Sequence, residues 1–263
     1  MKKNLHIILT ILAVTVIGIF FFTYRAPFEW TPTMDTADDN PFGCQLFDKL
    51  ASHTLDGDYK VADNILEGLN PQSDAILYVK RHIFSDWTEY DSIEADRAKA
   101  LYEFAEKGGV VIVATSDFYS NWESDNDDII LNAFGLRFID EKRKEGYSYD
   151  DLPSTISQMK NDPVERENVT LVSSGEKYAL YPFMIDYCFD ACFDKRIHTP
   201  LITTRHQYSK WDSDINDYAT TPMLTARLAY YRTFPSGGKI VYSSMPMLFT
   251  NYAVMDGKTV ELT

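Results

Sequence analysis

The stretch that most constrains this chain is Leu101-Tyr102-Glu103-Phe104-Ala105-Glu106-Lys107-Gly108-Gly109-Val110-Val111-Ile112-Val113-Ala114. Ala98, Leu101, Phe104 and Ala105 recur at helical spacing and give one apolar face, Gly108-Gly109 supplies a stop, and an unbroken apolar run follows at once. A strand exposed on one side alternates apolar and polar residues. A run that is apolar at every position predicts a strand covered on both faces, as in a parallel sheet. The chain therefore predicts a helix packed back along a buried parallel strand, the unit from which α/β folds are built.

Other segments extend that unit. Asp74-Ala75-Ile76-Leu77-Tyr78-Val79 is a second apolar run of strand length, and residues 239–244 form a third after the turn Pro235-Ser236-Gly237-Gly238. Asp91 or Ser92 is expected to cap the helix before Gly108. Earlier, Asn40-Pro41 followed by Phe42, Leu46, Phe47, Leu50 and Ala51 predicts a helix with Asn40 at the N-cap and Pro41 at the first helical position. Residues 28–33 ahead of it alternate like a short strand, with Pro32 near its end or on an edge. A further helix is predicted from Asp127 or Asp128 to Phe134, with Gly135 as its stop. From about 142 to 235 the composition shifts to Tyr, Thr and Asp, with candidate strands at 169–172, 178–183, 201–204 and 226–231. That stretch predicts an antiparallel β insertion or extension. The order of elements predicts a doubly wound, mostly parallel sheet.

The N-terminus sets the address. Residues 4–24 contain no Asp, Glu, Lys or Arg, and these 21 residues would span about 31 Å as a helix, close to the ~30 Å hydrocarbon core. The apolar run 5–22 is longer than a cleavable signal needs, and the flank Phe20-Phe21-Phe22-Thr23-Tyr24-Arg25 lacks the small-x-small pattern of a cleavage site. Residues 1–25 are therefore expected to be a cytoplasmic tip and an uncleaved, single-pass signal anchor. Lys2 and Lys3 keep the N-terminus in the cytoplasm, so residues 26–263 are expected to be one periplasmic domain held at the inner membrane.

Composition excludes some partners. The formal net charge is −14, and removing the three positive charges of Lys2, Lys3 and Arg25 leaves −17 on residues 26–263, which disfavours nucleic acid. Three cysteines are too few for a disulfide scaffold. Cys188 and Cys192 read as two buried thiols, and a bridge between them would require their Cα atoms to lie within ~7 Å. A zinc site would need two further soft ligands, and only His198 is near in sequence.

Asn40-Pro41-Phe42-Gly43, the 101–114 junction and Gly238-Lys239-Ile240-Val241-Tyr242-Ser243-Ser244-Met245-Pro246-Met247-Leu248-Phe249-Thr250-Asn251, in that order, carry a resemblance. The chain resembles a membrane-anchored bacterial family of unknown function related to class I glutamine amidotransferases and ThuA-like proteins. The likeness covers nearly all of residues 28–255 and implies a flavodoxin-like sheet with no established activity. Members usually continue past the last strand into a helical segment and often a second membrane span.

Chemical motifs are sparse. An amidotransferase places its nucleophile on a tight strand-to-helix elbow beside a histidine. The nearest stretch here is Ala114-Thr115-Ser116-Asp117-Phe118, which has a hydroxyl and no glycine. Ser116 as nucleophile with His82 as base is the enzyme reading, a hydrolase or amidotransferase-like activity. Asp212-Ser213-Asp214-Ile215-Asn216 opens like a calcium loop, but Asp217 stands where Gly is needed and Met223 where Glu is needed. No metal or cofactor is expected. Ligands of open α/β sheets bind beyond the carboxyl ends of the strands, a rim that would hold Asp38, Asn40, Arg81, His82, Ser116, Asp117 and Asn251, with Trp87 and Trp122 as apolar walls. The leading expectation is a non-catalytic domain that binds a partner protein or small ligand at the cell envelope.

Overall fold

The computed structural model describes Thr15 and residues 31–62, 68–80, 90–116, 129–137, 166–185, 189–207, 209–212, 217–220 and 222–256. In chain order the elements are helix Gln45–Thr54 (α1), strand Ala75–Lys80 (β1), helix Tyr90–Glu106 (α2), strand Val110–Thr115 (β2) and helix Ile129–Ala133 (α3). Strands Glu167–Leu171 (β3), Lys177–Leu180 (β4), Thr199–His206 (β5), Ser209–Asp212 (β6), Asp217–Thr220 (β7), Leu224–Thr233 (β8) and Lys239–Ser243 (β9) follow, and helix Asn251–Met255 (α4) comes last. Seven strands form one sheet in the order β1-β2-β9-β8-β5-β3-β4, while β6 and β7 form a separate hairpin.

The sheet is mixed, which corrects the expectation of a mostly parallel one. Among the described residues only β1–β2 and β2–β9 pair in parallel; β9–β8, β8–β5, β5–β3 and β3–β4 are antiparallel. Of the two alternatives expected for residues 142–235, insertion or extension, the described strands β3, β4, β5 and β8 are an extension of the same sheet through β8. Helix α2 supplies the crossover that two parallel neighbours require, and the turn before Lys239 supplies the hairpin between β8 and β9.

Two stops are built from left-handed glycines. Gly108 has φ +112° and Gly135 φ +69°. The Gly108 and Gly109 N–H groups donate to Ala105 and Phe104 C=O, and those of Gly135 and Leu136 donate to Asn132 and Leu131 C=O. Both pairs satisfy carbonyls that a helix end leaves open. The second stop is stitched by the buried pair Leu131 and Leu136.

One core lies between the helices and the sheet. Tyr78, Val113, Tyr242 and Tyr230 stand in register across β1, β2, β9 and β8, and α2 and α3 pack Leu101, Phe104, Ile130 and Phe134 into the same cluster. The opposite row, Leu77, Ile112, Val241 and Tyr231, is half-buried or exposed. The all-apolar β2 was expected to be covered on both faces, yet Val110 is 37% exposed. Helices α2 and α3 cover the other face, and Lys239 pairs with Val110 at the open end.

A second core fills the antiparallel half, where Val169, Leu180, Leu228 and Ala229 meet Phe42, Met245 and Ala253. Ala229 and Tyr230 are neighbours on β8 that serve opposite cores. Register shifts leave Leu228 of β8 and Leu201 of β5 without a partner in the ladder. Such bulges bend and twist a strand, and here the Leu228 C=O accepts the Ser244 N–H at 2.9 Å.

Four sequence expectations need correction. Helix α2 already includes Tyr90, so Asp91 and Ser92 lie within it and not at its N-cap. Helix α1 begins at Gln45 with Cys44 at its N-cap, so Asn40 and Pro41 lie in a turn ahead of it, and none of its residues is fully buried. Thr31, Pro32 and Thr33 are not in a strand; residues 28–30 lie outside the described residues. Strand β4 ends at Leu180, because Pro182 opens a 3-10 turn over Pro182–Met184.

Candidate functional site

The carboxyl ends of the three parallel strands bring Lys80, Ser116 and Ser244 to one rim. Its hydroxyls are closed in: Thr115, Ser116, Ser244 and Thr250 are each 0% exposed. Thr115 Oγ1 donates to Ser116 C=O at 3.2 Å, and Ser244 Oγ to Leu228 C=O at 3.1 Å. Thr250 Oγ1 donates to Met247 C=O at 2.7 Å and accepts the Ala253 N–H at 3.4 Å, capping α4.

Asp38, Asn40 and Asn251 do come together, as a clamp. Burial by itself would raise the Asp38 carboxyl, but hydrogen bonds from Thr33 Oγ1 and from the Asn40 N–H and Nδ2 outweigh it and leave the carboxyl below its ordinary range. Asn251, 1% exposed, donates from Nδ2 to Asp38 C=O at 3.0 Å and to Asn40 C=O at 2.6 Å. Its Oδ1 accepts the Leu46 N–H at 2.7 Å. That N–H belongs to the first turn of α1, where intrahelical partners are missing and the Cys44 side chain provides none. The backbone repeats the tie: Asn251 N–H donates to Gly43 C=O and Tyr252 N–H to Pro41 C=O, both at 2.7 Å. Asn251 therefore caps α1 from the far end of the chain, with both ends of its amide engaged.

Sequence reasoning missed a charged cluster at the edge of the same rim. Glu94 of α2 is 5% exposed; its Oε1 accepts from Lys80 Nζ at 2.6 Å and Arg97 Nη1 at 2.7 Å, and its Oε2 from Tyr78 Oη at 2.7 Å. Burial pushes the Glu94 carboxyl up, yet the bonds from Lys80 and Tyr78 and the charges of Lys80 and Arg97 bring it below its ordinary value. Burial, then the Glu94 carboxylate, drive the Tyr78 phenol strongly upward. Lys80 and Arg97 keep 39% and 45% of their side chains exposed, so through them the Glu94 cluster meets solvent.

Other candidates divide simply. Arg81, His82, Asp117, Trp87, Trp122 and Cys188 lie outside the described residues. Cys44 and Cys192 are buried, and burial, then Asp35 and Asp38, push the Cys44 thiol up to about 12, far from a reactive thiolate. No group of three or more His, Cys, Asp or Glu suited to a metal ion occurs among the described residues. Among the same residues no helix is long and apolar enough to cross a membrane; Thr15 apart, the N-terminal run lies outside them.

Fold and rim together define an α/β domain whose parallel half buries the described hydroxyls at its carboxyl edge. Comparison with models of known protein families, with curated proteins and with solved structures finds no match to this chain.

Proposed function

We propose that this protein is a membrane-tethered, extracytoplasmic α/β module that binds a partner protein or a small ligand at the cell envelope and carries out no reaction of its own. The observation that carries the reading is the closure of the rim: Ser116 is 0% exposed, and the polar groups of Asn251 are taken up by internal bonds. A nucleophile must reach its substrate. In the Glu94 cluster the polar side chains that face solvent are those of Lys80 and Arg97. The tether is the apolar run 5–22, which would raise the effective concentration of the domain near a membrane partner. The parallel strands β1, β2 and β9 with α2 between β1 and β2 are read as half of a flavodoxin-like, doubly wound sheet, in keeping with the resemblance to the anchored amidotransferase-like family.

A reporter active only outside the cytoplasm, fused after Thr263, is expected to be active with residues 1–25 in place and inactive without them. Photo-crosslinking in whole cells from a probe amino acid at position 97 should trap a discrete partner only on the tethered protein. A reporter silent in both forms, or crosslinks equal with and without the tether, would end this reading. Covalent labelling of Ser116 by a fluorophosphonate would replace it with the hydrolase one.

A further inference from the structure

The turn that leads into β5 holds a buried histidine with one ring nitrogen satisfied. His198 is 5% exposed. Its Nδ1 accepts the Asp194 N–H at 2.9 Å, which leaves the proton on Nε2. Nε2 is buried with no hydrogen-bond partner among the described residues. The ring sits among Tyr230, Tyr242 and Phe193, with centroids at 4.6, 5.9 and 6.0 Å. Both tyrosine hydroxyls donate away from it, Tyr230 to Phe189 C=O and Tyr242 to Phe134 C=O. An orphaned donor in such a place costs free energy and calls for a reason.

The surroundings are set against a second proton. Burial is the largest effect, the Arg232 guanidinium of β8 adds to it, and Asp194 opposes both, which leaves the ring at about 4. The Asp194 carboxylate is itself bound by Arg196. The other charges packed here, Asp190 of the 3-10 turn Asp190–Cys192 and Arg227 of β8, pair with each other, and Arg227 lies over the Phe193 ring. Strand β9 contributes the Tyr242 phenol.

We infer that His198 is an acid-sensitive latch, whose protonation releases the turn 194–198 from the aromatic core and uncovers the Cys192 thiol beside it. A doubly protonated ring has two donors and no acceptor, so the Asp194 N–H loses its partner while a charge appears among three aromatic rings. The Ile197 and His198 N–H groups, which donate to Asp194 C=O, belong to the same turn and report on it. Cys192, 1% exposed, shares the core with Phe189, Tyr230 and Tyr242.

A ring at about 4 when closed and at its ordinary 6.5 when open makes the opening constant rise about 30-fold between about pH 7.5 and about pH 5. Hydrogen exchange on the full chain in mild detergent, resolved by peptide and corrected for intrinsic rates, should show that loss of protection at Asp194, Ile197 and His198 while β2 holds. His198→Asn keeps an acceptor near the Nδ1 position and cannot titrate, so its protection there should not change with pH. An equal loss in both proteins, or an equal loss in β2, overturns the latch. The wild type provides a second measurement: 4,4′-dithiodipyridine, which reacts with thiols in acid, should label Cys192 faster at the lower pH relative to the buried Cys44. An unchanged ratio of the two rates overturns it as well.

Discussion

Asn251→Ala tests the claim that one side chain fastens the two ends of the described fold. It removes two hydrogen bonds from Nδ2, to Asp38 and Asn40 C=O, and one accepted from the Leu46 N–H. Each such bond is worth about 1 kcal/mol net, and a buried partner left without a substitute adds its own desolvation cost. The turn 38–43 and Leu46 are partly buried, so water restores some of the loss, and the expected cost is about 3 kcal/mol. Asn251→Asp is the sharper variant. Its carboxylate can still accept from Leu46, but the atom that replaces Nδ2 faces two carbonyl oxygens, so near pH 8 it should be less stable than the alanine variant by at least about 1 kcal/mol.

The sign of the pH effect follows. A buried carboxyl facing acceptors has a folded pKa above its unfolded value, so its penalty is full above the folded pKa and shrinks as pH falls, when the acid can donate one bond. Urea denaturation followed by tryptophan fluorescence, at about pH 8 and about pH 5, measures all three proteins. Loss of α1 helicity without global unfolding would appear as a smaller m-value. A cost below about 1 kcal/mol for Asn251→Ala, or an aspartate variant as stable as the alanine one near pH 8, would refute the clamp.

Three further outcomes follow from the same geometry. Glu94→Gln should cost about 1–2 kcal/mol, chiefly through Tyr78, because the exposed ends of Lys80 and Arg97 can turn to water. The Glu94 carboxyl is lowered in the fold, so its contribution is full above its ordinary 4.5 and fades as pH falls through the folded value. The gap between wild type and Glu94→Gln in denaturant titrations should close in that acid range. Gly238→Ala would press its methyl against the Ala105 carbonyl and the Gly108 backbone, and a thermal midpoint lowered by the equivalent of about 3 kcal/mol is expected. Acid exchange should loosen the His198 turn between its ordinary 6.5 and about 4, before the β1–α2 edge held by Glu94 responds.

What the sequence made legible was local. The 101–114 junction yielded helix, stop and strand because the Gly108 stop is closed by bonds within six residues of chain. Helix α1 was misplaced for the opposite reason. Asn40-Pro41 carries a good capping signal, but Asp38 folds it into a turn and Asn251, remote in sequence, takes the helix N-terminus instead. No local pattern encodes that. The Glu94 cluster could have been found: Glu94 shares helical spacing with Ala98, Leu101 and Ala105, and a carboxylate in an apolar stripe requires partners. Tyr78 and Lys80, on one face of a strand, were the residues to ask about. Covering of the second face of β2 was misjudged because apolar composition reports β propensity as well as burial.

The join between β8 and β9 explains why a parallel half and an antiparallel half behave as one sheet. Tyr230 and Tyr242 pair across it, 5.3 Å apart, and each hydroxyl reaches out of the sheet to a carbonyl on covering chain, Phe189 and Phe134 respectively. Tyr242 thereby ties α3 to the parallel half, and Tyr230 ties the 3-10 turn beside Cys192 to the antiparallel half. One row of side chains runs from Glu94 through Tyr78, Val113, Tyr242 and Tyr230 to His198. Its two ends are both buried ionisable groups, held in opposite ways. Glu94 keeps its charge because cations and a phenol satisfy it, and His198 stays neutral because aromatic rings surround it. A ligand that engaged Lys80 or Arg97 would therefore compete with Glu94 for its partners and act on the fold from that end of the row.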